Sequence, residues 1–104
     1  MPAISRNVVD LAKTGHPCTF VIGVKASQGS VFANRIPILR PGDRCLPHTI
    51  LKCYGRYCAC IPHKAKVNMG SRSVFAIGKP VARDKDSTDF GALFQGSPNV
   101  FAGG

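Results

Sequence analysis

The chain has 104 residues, with 14 Lys and Arg against 5 Asp, no Glu, 11 Gly, 8 Pro, 5 Cys and no Trp. Gly and Pro make up about 18% of it, against roughly 12% in average proteins, which excludes a helical bundle: residues 3–14 are the one stretch of that length without a breaker. An apolar fraction of 44% excludes disorder, the length supports one domain over residues 1–104, and a net charge of +9 asks for an anionic partner.

In chain order, Pro2-Ala3-Ile4-Ser5-Arg6 leads to Asp10, and beyond it come His16 and Cys18. The apolar stretch 18–24 is broken by Thr19 and Gly23 and is far too short to span a bilayer. No targeting segment is visible, so the chain is expected to be made and assembled in a cytoplasm. Val31-Phe32-Ala33, after Gly29-Ser30, reads as a short strand entering a tight hairpin, and Pro37, Arg40 and Asp43 follow. Asp43 opens a long excursion holding Cys45, His48, Cys53, Cys58, Cys60 and His63. Gly70-Ser71 then precedes Val74-Phe75-Ala76, and Gly78 stands where a hairpin needs positive φ. Pro80, Arg83 and Asp86 repeat the earlier spacing, Phe90-Gly91 follows, and Gly96-Ser97 precedes Val100-Phe101-Ala102.

These blocks form a threefold internal repeat with units at 2–34, 37–77 and 80–104. Between Val31 and Asp43 on one side and Val74 and Asp86 on the other, six of 13 positions are identical. Three similar short β units around one core predict an all-β, pseudo-threefold body of short β-hairpins. Each Asp reads as a turn residue holding backbone N–H groups, rather than as half of a catalytic carboxylate pair.

All three histidines and all five cysteines fall in the excursions after Asp10 and Asp43. If the excursions converge, nitrogen and sulfur donors converge with them, and a closed tetrahedral site of such donors is structural. The Cys60-x-x-His63 spacing suits two ligands on one turn, with Cys18 and Cys45 as rivals to Cys60. Disulfides are the alternative use of the sulfurs. Five is odd, and a cytoplasm keeps thiols reduced, so a metal is the expected staple, with pairing of some cysteines after release.

The chain resembles the PAAR-repeat family, particularly its stand-alone form from contractile phage tails. The resemblance is carried by Pro2-Ala3-Ile4-Ser5-Arg6, Thr14-Gly15-His16-Pro17-Cys18, Arg40-Pro41-Gly42-Asp43, His48, His63, Gly78-Lys79-Pro80-Val81-Ala82-Arg83 and Gly96-Ser97-Pro98-Asn99-Val100-Phe101. It implies a small cone of β-hairpins with a metal site near the apex, one zinc or iron ion held by three histidines and a cysteine. Carried onto this chain, the histidines are His16, His48 and His63. The usual cysteine position holds Phe90, before Gly91, so the fourth ligand is expected to be Cys60, or water. The resemblance also implies a role: a non-enzymatic tip, one copy capping a trimeric VgrG-like or phage tail spike. That spike is driven through a target envelope by a phage tail or a type VI secretion machine, and the short length favours the virion. Val9, Lys85 and Arg35 replace family glycines, so hairpin geometry is expected to differ there.

Two other functions fit parts of the composition. A small metal-stabilised nucleic-acid-binding module would use the charge, but no run of three basic residues and no recognisable nucleic-acid motif exists. A zinc hydrolase would use three histidines and an open fourth position. Neither nucleic acid nor a small-molecule substrate is expected. The excess of Lys and Arg is left to contact with anionic lipid head groups, or to plain solvation.

Overall fold

The structure is a computed structural model. It describes residues 2–16, 18–88 and 91–103, without the side chains of His16, Thr19 and Phe20. Among these residues there is no helix. The strands are β1 (Leu11–His16), β2 (Thr19–Lys25), β3 (Phe32–Ala33), β4 (Ile36–Pro37), β5 (Arg44–Cys45), β6 (His48–Tyr54), β7 (Tyr57–His63), β8 (Phe75–Ala76), β9 (Lys79–Pro80) and β10 (Ala92–Leu93). One sheet runs β10-β1-β2-β5, and β3–β4, β6–β7 and β8–β9 are separate hairpins. The expected all-β class holds.

Backbone hydrogen bonds show the pseudo-threefold relation directly. Ser5 N–H donates to Ala82 O at 3.0 Å, Ala82 N–H to Leu39 O at 2.8 Å, and Leu39 N–H to Ser5 O at 3.0 Å. This closed ring of three bonds takes one residue from each repeat. Just before each ring residue, Ile4, Ile38 and Val81 donate to Val100, Val31 and Val74 at 3.0, 3.1 and 3.0 Å. Two hairpins thus form within the chain, β3–β4 and β8–β9. The third is built from both ends, with Ala3 bridging Phe101 and Ala102 N–H donating to Pro2 O at 3.0 Å.

Alternation along these short strands separates two small cores. Ile4, Ile38 and Val81 bury with Ala33, Ala76 and Ala102 in one layer, two residues per repeat. The next residues, Leu39 and Ala82, turn the other way and join Ala12, Val24, Cys45, Val67 and Leu93. Neither layer is large, so much of the definition comes from polar turns. In each repeat an Asp carboxylate accepts the N–H of the Arg three or four residues before it: Asp10 from Arg6 at 2.9 Å, Asp43 from Arg40 at 2.8 Å, Asp86 from Arg83 at 2.8 Å. Arg6 and Arg83 also pair with that carboxylate through Nε, at 2.6 and 3.1 Å. Its hydrogen bond to Asp10 raises the Arg6 pKa against the opposing effect of burial.

Of the residues that replace family glycines, Arg35 and Lys85 keep the left-handed backbone that glycine takes at the equivalent places of other repeats. Lys85, with φ +77°, takes the left-handed conformation that Gly42 takes at +93°, and Asn34-Arg35, at +52° and +67°, match Ile77-Gly78 at +50° and +77°. In the first repeat the positive φ falls on Val8, at +59°, rather than on Val9. Each such non-glycine residue costs on the order of 1–2 kcal/mol. The register of the first repeat needs correction. Ser71 and Ser97 each cap the turn before Val-Phe-Ala by accepting two N–H groups, from Ser73 and Val74 and from Asn99 and Val100. In the first repeat Gln28 Oε1 does this for Ser30 and Val31, both at 2.8 Å, so Gly29-Ser30 is not the equivalent pair.

Candidate apex and docking base

The excursion after Asp43 becomes the β6–β7 hairpin, fully paired from His48↔His63 to Tyr54↔Tyr57. Gly55, with φ +62°, occupies the first central position of its two-residue turn, as a II′ turn requires. Residues 51–58 are all exposed, so this end projects from the body, and the molecule is elongated, 47 × 23 × 23 Å.

Strand alternation gives the hairpin two faces. His48, Ile50, Lys52 and Tyr54, with their partners His63, Ile61, Ala59 and Tyr57, share one; Thr49, Leu51 and Cys53, with Pro62, Cys60 and Cys58, share the other. His48 is buried and His63 half-buried at the hairpin root, their rings edge-on with centroids 5.2 Å apart. His48 Nδ1 lies 3.0 Å from Leu46 O. A carbonyl only accepts, so Nδ1 carries a proton there, which leaves Nε2 as the nitrogen a metal would use. Two imidazoles on one tetrahedral zinc at about 2.0–2.1 Å would hold their centroids roughly 5 Å apart. The pair therefore fits a shared metal.

The other expected donors are placed differently. His16 ends β1, in register with Thr19, and its side chain lies outside the description; so does Phe90. Cys60 is disulfide-bonded to Cys18, with Cα atoms 6.0 Å apart. Its spacing to His63 suits one turn, but both residues lie in β7, where positions three apart leave opposite faces. As a disulfide, Cys60 offers no thiolate. Cys53 and Cys58 pair across the end of the same hairpin, and Cys45 is buried in the core. Among the described residues no three His, Cys, Asp or Glu form a metal-holding group.

The second candidate surface surrounds the ring. Phe32, Phe75 and Phe101 occupy equivalent places and are 53%, 58% and 47% exposed, while the alanine after each is buried. Exposed Ile77 adds to the second of them. The sequence left open which side chains of the Val-Phe-Ala hairpins would face a partner. The signal was there: in a three-residue strand whose outer two side chains enter a core, the middle one must point away.

No helix is long and apolar enough to cross a membrane among the described residues. A search of curated proteins gives no match. The family model for the PAAR motif matches residues 11–96, most of the chain and all of the apex. That match places the chain in the PAAR motif family.

Proposed function

We propose that this chain is a structural tip that sits as one copy on a trimeric β-helical spike of a phage tail. Membership of the PAAR motif family supports a spike-tip-type protein of contractile injection systems. The observation that carries the finer reading is the set of three equivalent exposed phenylalanines around a pseudo-threefold ring. A spike of three identical chains offers three identical apolar seats, and this single chain offers one aromatic anchor for each. Native mass spectrometry of the chain with its cognate spike should give one copy per three spike chains. Phe75→Asp should weaken the complex by about tenfold or more, as loss of an aromatic anchor does. A 3:3 complex, or full affinity in that variant, would sink the reading.

At the other end, a zinc ion held by His16, His48 and His63 is the proposed staple, with iron as the rival. The Cys60 thiolate becomes available to it only once the bond to Cys18 is opened. A bound metal would cross-link strands at a point with no core of its own, and it asks for no catalysis. Elemental analysis should find one metal per chain in protein purified under reducing conditions, and His48→Ala should lose it. Equal metal content in that variant would exclude the site.

A further inference from the structure

A row of cations crosses three neighbouring segments at the root of the β6–β7 hairpin. Lys25 on β2 stands in register with Arg44 on β5, and Arg44 bridges Lys66. Lys64 lies two residues before Lys66 in the same extended stretch and so falls on the same face. All four are exposed. Arg44 and Lys64 line two adjoining cavities, one of about 510 Å³ shared with Lys66 and one of about 220 Å³ shared with Lys25.

Like charges directly opposite on paired strands weaken a sheet. Here the opposition occurs twice in succession, Lys25 against Arg44 and Arg44 against Lys66. The salt bridges among the described residues are Arg6–Asp10 and Arg83–Asp86, neither in this groove. Asp43, the neighbour of Arg44, is buried and already accepts from Arg40 N–H and from Ser27 N–H and Oγ–H. Among the described residues no carboxylate pairs with these cations.

We propose that this groove binds a phosphate ester carrying two or more negative charges. The Arg44 guanidinium supplies the planar fork that matches phosphate oxygens, and the lysines supply point charges on either side. Strands about 4.8 Å apart make the row roughly 10 Å long, too long for a single phosphate to meet at all its cations. The second cavity adds Cys45, Leu46 and Pro47 beside Lys25, a wall suited to the carbon part of an ester. The inference stands apart from spike docking, because no residue of the phenylalanine face takes part.

The test is thermal unfolding of the full chain at constant ionic strength, with sodium pyrophosphate against sodium chloride. Pyrophosphate should raise the midpoint of the native protein. Arg44→Gln with Lys66→Gln should bind it about tenfold more weakly, one charge-assisted bond being worth that much. Arg44→Lys, which keeps the charge, should retain most of the shift. Without ligand the double variant should be at least as stable as the native chain, since repulsion is removed, whereas a purely structural role predicts a loss. Sedimentation with phosphatidylcholine vesicles, with and without phosphatidic acid, whose phosphomonoester carries up to two charges, separates the sources. Groove-dependent retention on the anionic vesicles assigns the phosphate to a lipid head group, and a pyrophosphate shift without retention assigns it to a soluble ester. No pyrophosphate shift, an equal shift in the double variant, or tight duplex oligonucleotide binding without a pyrophosphate response would overturn the proposal.

Discussion

Gly91→Ala should lower the stability of this protein by about 3–5 kcal/mol, the range of a large core truncation. A Cβ on Gly91 would stand 1.6 Å from the Lys13 carbonyl oxygen, 2.5 Å from its carbon and 2.9 Å from the Thr14 carbonyl carbon. None of these belongs to a flexible side chain. To make room, β10 must retreat from β1, breaking the pairing of Ala12 with Leu93 and Lys13 with Ala92. Leu93 is fully buried, so the retreat also opens the larger core. For a chain of this size each kcal/mol moves the melting midpoint by about 4–8 °C, so the loss should be plain in a thermal scan followed by circular dichroism. Gly29→Ala is the control, because nothing lies within 4 Å of its added carbon. If both variants melt together, the close approach of β10 to β1 is wrong.

The two disulfides should differ in effect. Cys18–Cys60 closes a loop of 42 residues, and Cys53–Cys58 one of 5. On the chain-entropy account the first contributes about 4 kcal/mol and the second about 2 kcal/mol. Cys18→Ser should therefore lower the denaturant midpoint about twice as far as Cys53→Ser, measured without reductant. The distribution should differ too. The residues around Cys53 and Cys58 are exposed on every side, so opening that bond loosens only the hairpin end, visible as faster amide exchange over residues 51–58. Opening Cys18–Cys60 frees the hairpin from the β1–β2 turn. Equal midpoints in the two variants would overturn the loop-length account, and no change on full reduction would show that neither bond constrains the native fold.

Much of the ring was legible because its signals are local. Val-Phe-Ala, the Pro-Arg-Asp spacing and the turn at Gly78 each act within a few residues, and together they specified short hairpins related in threes. The Gly-Ser register misled because a glutamine amide, with its longer reach, caps in the first repeat the turn that a serine hydroxyl caps in the others. The replaced glycines illustrate the converse: Lys85, whose N–H donates to Leu93 O at 2.7 Å, takes a conformation its local preference opposes. At the apex, the Cys60-x-x-His63 spacing was judged for a turn, although alternation in a long strand separates the two side chains. The Cys18–Cys60 bond joins different excursions, and Lys25, Arg44 and Lys66 become neighbours only through strand register. No local pattern carries either.

The hairpin built from residues 2–4 and 100–102 has a consequence for synthesis. Its partners are almost the whole chain apart, the costliest separation for loop closure and the slowest kind of contact to form. A nascent chain can form β3–β4 and β8–β9 as it emerges, but the Val100 carbonyl that receives Ile4 is made long after Ile4 itself. Until then Ala33, Ala76, Ile38 and Val81 surround a gap where Ala102 belongs. The three exposed phenylalanines are thus brought into threefold register last.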